Sequence, residues 1–162
     1  MTNNPTNKPI VYFDMDGTLV DFQSGIDRLS AIDQNHFDGR FDEHPDIFAT
    51  MQPMPGAIEA VQQLKNHFEI YVLTTSPWKN PNAASHKILW IQRFFGDDKD
   101  SPFYKRVITS HHKRLNGGDY LIDDRKTAAE GFTGTHIHFG TAEFPRWSAV
   151  VEFLLKAHPP QD

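Results

Sequence analysis

The 162-residue chain contains no cysteine. This absence excludes disulfide bonds, thiolate zinc sites and cysteine nucleophiles, although it leaves the redox compartment undetermined. Positive charge is also scarce, because 16 lysines and arginines stand against 21 aspartates and glutamates, which gives a formal net charge of −5. The chain therefore lacks the global positive field that would hold a nucleic-acid polymer or an anionic membrane. An anionic ligand would have to be bound by local groups.

Long apolar runs are missing as well. About 18 consecutive apolar residues would be needed for a membrane-spanning helix, and no such run occurs. The opening segment MTNNPTNKP is polar and lacks the apolar core of a signal peptide. We therefore expect a cytoplasmic protein in which residues 1–8 form a loose tail.

Residues 9–162 are expected to form a single domain. Their length and the apolar share of 38% suffice for one sizeable hydrophobic core. The chain has no internal repeat, no low-complexity segment and no GxxxxGK[ST] loop, which excludes the phosphate site of P-loop proteins.

Short apolar runs alternate with helical patterns along the chain, which is typical of a parallel sheet. The runs are rich in β-branched and aromatic residues, as strands buried on both faces are. They are Ile10–Phe13, Glu69–Thr74, Arg106–Thr109, Asp119–Asp123 and Thr135–Phe139. Amphipathic patterns predict helices at 55–67, 86–96 and 144–158. We predict an α/β fold, namely a Rossmann-like three-layer parallel sheet with helices on both faces.

Residues 23–54 break this alternation. A helical pattern near Ile26–Ile32 is followed by a stretch rich in His, Asp, Gly and Pro, with scattered aromatic residues at Phe37, Phe41 and Phe48. We expect a small, mainly helical cap that folds over one edge of the sheet and is too short to be a domain of its own.

Polar residues follow four of the predicted strands, where ligands of open parallel sheets bind. These residues are Asp14, Asp16, Gly17 and Thr18 after the first strand, Thr74, Thr75, Ser76 and Pro77 after the second, His111, His112 and Lys113 after the third, and Asp123, Asp124 and Arg125 after the fourth. We expect them to converge on one crevice.

Each group has a structural explanation when it is taken alone. An Asp-Gly pair favours turns, hydroxyls can cap a helix, and a lone lysine is more often a solvated surface residue. Two carboxylates at the end of a buried strand are costly, however, unless a cation lies between them. That cost arises twice, at Asp14 with Asp16 and at Asp123 with Asp124.

Taken together, the four groups favour a site for Mg²⁺ and phosphate. Mg²⁺ takes oxygen ligands from one or two carboxylates and leaves places for phosphate and water. The two acidic pairs could supply such a cage, while Thr75, Ser76 and Lys113 could bind phosphate oxygens. Without a P-loop, the sequence indicates a different kind of phosphoryl-transfer site.

The order of these motifs resembles the haloacid dehalogenase superfamily, most of whose members are Mg²⁺-dependent phosphatases. The stretches DMDGTLVDF, QPMPGAIEAV, TTSPWK, WIQRFFG and YLIDDR are similar to the 5′(3′)-deoxyribonucleotidases, cytosolic and mitochondrial, between about Pro9 and about Arg125. This resemblance implies a haloacid dehalogenase-like fold and Mg²⁺-dependent hydrolysis of (deoxy)nucleoside 5′-monophosphates through an aspartyl-phosphate intermediate.

The resemblance also implies roles for individual residues. Asp14 corresponds to the nucleophile, Asp16 to the acid/base, and Lys113 to the charge-neutralising lysine. The metal ligands would come from Asp14, Asp16 through its backbone carbonyl, and Asp123 or Asp124. The phosphate and substrate contacts would come from Thr75, Ser76, Lys79, Phe22 and, as an alternative wall of the nucleoside pocket, Trp78.

Two departures from the family pattern bear on base and sugar selectivity. His111 stands where the family often has an arginine, and the predicted cap lacks the adjacent Phe-Trp pair that packs on the base in animal members. All three tryptophans, Trp78, Trp90 and Trp147, lie outside the cap.

Other functions remain open at this point. The same residues could serve a phosphatase for another small phosphomonoester, such as a sugar phosphate. A phosphotransferase is less favoured, because the small cap offers no evident way to exclude water. A non-catalytic phosphate-binding module is disfavoured, because Asp14 and the other three motifs are all in place. The sequence leaves the oligomeric state open, with a homodimer as one option.

Overall fold

The computed structural model describes residues 8–159. The predicted loose tail lies outside these residues apart from Lys8, which is exposed. The β-strands are β1 (Ile10–Phe13), β2 (Val20–Asp21), β3 (Gln52–Pro53), β4 (Glu69–Thr74), β5 (Val107–Thr109), β6 (Tyr120–Asp123) and β7 (Thr135–His138). The α-helices are α1 (Phe22–Ile26), α2 (Ala31–His36), α3 (Ala57–Leu64), α4 (Asn82–Phe95) and α5 (Trp147–Ala157).

Five of the strands form one parallel sheet in the order β5-β4-β1-β6-β7. The predicted fold class is thereby confirmed, with β1 at the centre of the sheet. The remaining strands, β2 and β3, pair antiparallel in a separate two-stranded ribbon. Within residues 8–159, no helix has the length and apolar character needed to cross a membrane.

The two faces of the sheet are covered unequally. Val11, Phe13 and Val72 belong to a large cluster that contains the buried side chains of α3, α4 and α5. Neighbouring strand residues such as Tyr12 and Leu121 point to the other face, because successive side chains alternate along a strand. That face is covered in part by the short 3-10 helix at 127–129, whose Ala129 is buried there, and by Phe132 of the loop that follows. Helical segments therefore lie on both faces, with the three long helices on one.

The helix predicted near Ile26–Ile32 is wrong, because the chain forms two shorter helices with a break at 27–30. Each helix has its own N-terminal cap. The carboxylate of Asp21 accepts a hydrogen bond from the Ser24 N–H, and the Ser30 hydroxyl accepts one from the Asp33 N–H. A capping serine in the middle of an apolar pattern starts a new helix there.

We keep the name cap for residues 23–54. This segment contains two 3-10 helices, at 41–43 and 47–49, in addition to α2 and most of α1. The side chains of α4 and its preceding loop hold it against the sheet domain. Asn80 donates to the carbonyl oxygens of Asp42 and His44, and the Trp90 indole donates to the carbonyl of Met51. The cap is therefore fixed to the element that follows β4.

Candidate active site

The register of the sheet places Asp14 beside Asp123. Phe13, the last residue of β1, pairs with Val72 of β4 and Ile122 of β6. The Asp14 N–H continues this pairing by donating to the carbonyl of Ile122, at 2.9 Å. The first residue after β1 and the last residue of β6 therefore lie side by side at the carboxyl-terminal ends of the strands, which we call this edge of the sheet.

Lys113 lies between these two carboxylates. Its Nζ donates to Asp14 Oδ1 at 2.7 Å and to Asp123 Oδ2 at 2.6 Å, and all three side chains are buried. Burial alone would lower the pKa of Lys113, but Asp14 and Asp123 together raise that pKa above its usual value. Lys113 is thus held in its charged form.

The carboxylates of Asp14, Asp123 and Asp124 form a cluster that suits a metal ion. One oxygen of each lies within 4.8 Å of the others. Burial raises the pKa of Asp14 to about 7, and nearby Asp123 and Asp16 add to this effect, whereas Lys113 opposes it. Burial and the charge of Asp123 also raise the pKa of Asp124. One lysine therefore does not balance the negative charge of the cluster.

Several buried oxygens at this edge have no hydrogen-bond partner. They include Asp14 Oδ2, Asp16 Oδ1, Asp124 Oδ1 and Ser76 Oγ. Leaving a buried polar atom unpaired costs about 1–3 kcal/mol, and more for a charged one. A hard divalent cation and the oxygens of a phosphate group are the partners that such carboxylates and hydroxyls accept. The residues present therefore fit Mg²⁺ together with a phosphate ester.

Gly17 allows the two acidic loops to approach each other. Its φ is +76°, and a Cβ at this position would clash with Asp124 Oδ2. Only glycine adopts such a backbone without strain and leaves this space free. The Asp-Gly pair, which alone indicates only a turn, is therefore also needed to close the carboxylate cluster.

The other predicted substrate residues differ in how deeply they are buried. Thr75 is half-buried and its hydroxyl donates to the Ser110 carbonyl, at 2.9 Å. Trp78 is 88% exposed and packs edge-to-face on His111, with 6.1 Å between ring centroids. Lys79 is exposed and forms an ion pair with Glu43 of the cap, at 3.4 Å. Trp78 and Lys79 are thus surface groups in this structure.

Phe22 begins α1 and packs edge-to-face on Phe48, with 5.9 Å between centroids. Phe48 is buried, whereas Phe37 and Phe41 are half-buried. The aromatic residues of the cap therefore differ in how far a ligand could reach them, and Phe22 lies nearest in sequence to the loop after β1.

A cavity of about 550 Å³ opens beside Lys113. Its lining includes Thr75, His111, Arg114 and Arg125. A wall that carries several basic side chains attracts anions although the whole chain is acidic. These side chains could supply the local positive charge that an anionic ligand would need.

One buried residue near these carboxylates, Lys87 on α4, is not among the residues predicted from the sequence. Its Nζ donates to Asp16 Oδ2, to the Thr74 hydroxyl and to the Thr75 carbonyl at 2.8, 2.9 and 2.7 Å. The sequence does contain a signal for this residue, because Lys87 lies between Ala83 and Trp90 on the apolar face of the helix. Lysine at such a position is almost never fully buried unless it is paired.

The chain is also similar in sequence to known nucleotidases. The family model described as "5' nucleotidase, deoxy (Pyrimidine), cytosolic type C protein" matches residues 33–148. A Vibrio phage KVP40 protein named "Putative 5'(3')-deoxyribonucleotidase" is 57% identical over 150 residues, which cover 92% of this chain and 86% of the phage protein. The mitochondrial 5′(3′)-deoxyribonucleotidase of Mus musculus is 26% identical over 93% of this chain and 78% of its own length.

A solved structure described as a "putative haloacid dehalogenase-like hydrolase" from Burkholderia xenovorans LB400 matches over 96% of this chain and 91% of its own length, with a TM-score of 0.45 and 16% identity. The family assignment comes from the sequence matches. Since the family model spans more than half of the chain and the phage relative most of it, the chain belongs to the 5′(3′)-deoxyribonucleotidase family and is a phosphoric monoester hydrolase.

Proposed function

We propose that this enzyme is a Mg²⁺-dependent phosphatase that hydrolyses deoxynucleoside 5′-monophosphates through an aspartyl-phosphate on Asp14. The observation that carries this proposal is the state of the two aspartates after β1. Each has one oxygen held by a buried lysine, and the other oxygen, Asp14 Oδ2 or Asp16 Oδ1, has no partner. Such a pair suits a nucleophile and a proton carrier. The family match supports a nucleotide as the substrate.

The proposed reaction has two displacement steps. In the first, Asp14 Oδ2 attacks phosphorus, the bond from phosphorus to the ribose O5′ breaks, and Asp16 gives its proton to the leaving oxygen. In the second, Asp16 takes a proton from water, which attacks the aspartyl-phosphate, releases inorganic phosphate and restores Asp14. Two carboxylates are required because one bonds to phosphorus while the other carries the proton.

Positive charge is needed because a carboxylate and a phosphate dianion repel each other. Lys113 supplies one fixed charge beside Asp14, and the Ser76 hydroxyl is free to bind a phosphate oxygen. Mg²⁺, when bound, would neutralise further negative charge on the carboxylates and the phosphate. These groups would lower the barrier chiefly by electrostatic stabilisation.

The hydrogen bonds favour Asp124 over Asp123 as the direct metal ligand. Asp123 accepts from Lys113 through Oδ2 and from the Arg125 N–H through Oδ1, so both its oxygens are engaged. Asp124 Oδ1 has no partner. We therefore assign Asp14, Asp124 and the backbone carbonyl of Asp16 to the metal, and Asp123 to the orientation of Lys113.

Mg²⁺ is expected to raise the unfolding temperature of the parent protein by about 5–10 °C when it is present at roughly a hundred times its dissociation constant. The shift should grow as the pH rises from about 6 to about 8, because a proton competes with the metal for Asp14, whose pKa burial raises to about 7. Asp124→Asn should nearly abolish the shift, while Asp97→Asn, at an exposed site, should keep it. A full shift in Asp124→Asn would contradict the ligand assignment.

The parent enzyme is expected to hydrolyse dUMP with a higher kcat/KM than UMP. Apolar cap residues around Phe22 would bury a ribose 2′-hydroxyl without a partner, at a cost of about 1–3 kcal/mol. The preference should be at most about a hundredfold, which is the limit for an apolar pocket that rejects an added hydroxyl. Phe22→Ala should reduce it several-fold.

Trp78→Ala serves as the matched comparison, because Trp78 is the alternative wall of the pocket. Equal kcat/KM values for dUMP and UMP in the parent would overturn the deoxy-selective proposal and leave a broader monophosphatase. A preference that survives Phe22→Ala but is lost in Trp78→Ala would place the nucleoside against Trp78.

A further inference from the structure

Lys87 is a buried cation whose hydrogen-bonding capacity is fully used. Its side chain is 2% exposed, and its Nζ donates to three acceptors that lie around the carboxyl end of β4. A lysine ammonium has three N–H donors, so this side chain has no free donor and one fixed position. The charge is also covered by the ring of Phe48, whose centroid lies 4.8 Å from Nζ.

Lys87 and Lys113 hold the two aspartates of the DMDGT motif in the same way. Lys113 occupies one oxygen of Asp14, and Lys87 occupies one oxygen of Asp16. In both aspartates the second oxygen is buried and has no partner. The rotation of each carboxylate is therefore restrained by a lysine that comes from a different part of the chain.

Burial of the Lys87 ammonium group costs free energy that burial of an apolar side chain would not. The presence of a lysine at this position therefore needs an explanation. An apolar side chain would fit the neighbouring face of α4, where Ala83, Trp90 and Ile91 all belong to the hydrophobic core. Replacement of a buried ion pair by well-packed apolar residues is often neutral or stabilising. Fold stability alone thus gives a weak reason for a lysine here, and the contact with Asp16 gives a stronger one.

We propose that Lys87 is a positioning residue for catalysis, which keeps Asp16 Oδ1 free and directed for proton transfer and which links that carboxylate to the cap through Phe48. This inference rests on the proposed function. In the first step the proton on Asp16 moves to O5′ as the bond from phosphorus to O5′ breaks and the bond to Asp14 forms. Lys87 neither gains nor loses a proton in this step, and it acts only through Asp16.

The test compares two substrates whose leaving groups differ in how strongly they require protonation. The leaving oxygen of dUMP is an alkoxide unless it is protonated, whereas p-nitrophenolate leaves without a proton. Lys87→Met should lower kcat/KM for dUMP by about a hundredfold, the size of effect that follows a displacement of roughly 1 Å in a catalytic group. For p-nitrophenyl phosphate the loss in kcat/KM should stay below about fivefold, since this ratio reports only the steps up to release of the alcohol.

A second readout does not depend on turnover. Lys87→Met should accumulate aspartyl-phosphate after it is mixed with p-nitrophenyl phosphate, because Asp16 must also act as the base for the second step. Acid quenching followed by mass spectrometry of the intact protein measures that species. Arg93→Met, on the exposed side of the same helix, is the matched control and should behave as the parent.

Thr74→Val provides a milder variant, which is informative even if Lys87→Met fails to fold. It removes one acceptor of Lys87 at nearly constant volume, and it should lower kcat/KM for dUMP several-fold more than for p-nitrophenyl phosphate. Equal losses on the two substrates, or no loss on either, would overturn the positioning role. Failure of the parent to hydrolyse dUMP with Mg²⁺ would instead overturn the proposed function, so the two failures are separable.

Discussion

Asp14→Asn is expected to abolish release of phosphate from dUMP in the presence of Mg²⁺, with a loss of more than about a thousandfold in kcat. The amide cannot form the bond to phosphorus, and a covalent nucleophile contributes several kcal/mol to the lowering of the barrier. The amide oxygen still offers an acceptor to Lys113, whose Nζ lies 2.7 Å from Asp14 Oδ1. We therefore expect the variant to stay folded.

The pH dependence of the unfolding temperature without Mg²⁺ provides a second measurement on Asp14→Asn. Burial raises the pKa of Asp14 to about 7. The folded state therefore holds this proton more tightly than the unfolded state, and the parent should lose stability as the pH rises from about 4 towards 7. Asp14→Asn removes this loss of stability, so the unfolding temperature of the variant should fall less over the same pH range.

Asp97→Asn is the matched control for both measurements, and it should keep the activity of the parent. Turnover by Asp14→Asn above about a thousandth of the parent rate would contradict the assignment of the nucleophile.

Lys113→Met is expected to lower kcat by about a hundredfold or more and to change KM far less. The positive charge matters most while the phosphoryl group is transferred, so its loss falls mainly on the transition state. The assay should be run at saturating Mg²⁺, and the unfolding temperature should be measured alongside. Removal of one partner from a buried ion pair costs about 3–5 kcal/mol, and Lys113 has two partners, Asp14 and Asp123.

His111→Ala separates the role of the Lys113 charge from a general effect of substitutions in the loop after β5. His111 is an exposed residue that lines the same cavity, and its ring contacts Trp78 and no residue of the carboxylate cluster among the described contacts. We expect its replacement to change kcat by less than about fivefold, which is about 1 kcal/mol of activation free energy, because its ring does not contact the carboxylates or Lys113 in the described part of the chain. A critical histidine and a dispensable lysine would show that the third motif is wrongly assigned.

The strands that carry the site could be predicted closely from the sequence. Short runs such as Ile10–Phe13 and Glu69–Thr74 have the bounds that the structure shows. Apart from Glu69 and Thr74 at the ends of the second run, both runs are apolar, because strands at the centre of a parallel sheet are buried on both faces. The convergence of their carboxyl ends follows from the parallel arrangement, which explains why Asp14 and Asp123 could be expected at one edge.

Other features depend on contacts that are distant in sequence. The break between α1 and α2 does not follow from the apolar pattern, because the caps at Asp21 and Ser30 interrupt a pattern that runs across them. Lys87 lies 71 residues from Asp16, and the two meet only when α4 packs on the sheet. The proposed preference for Asp124 over Asp123 as metal ligand likewise rests on hydrogen bonds that no sequence pattern records.

Release of inorganic phosphate from a panel of monophosphates, with and without Mg²⁺, tests the central claim most directly. The panel should contain dUMP, dTMP, the matching ribonucleotides, a purine deoxynucleotide and a sugar phosphate. We expect Mg²⁺-dependent hydrolysis of pyrimidine deoxynucleotides ahead of the others, and loss of activity when the metal is chelated. Faster hydrolysis of the sugar phosphate, or activity that persists without Mg²⁺, would contradict it.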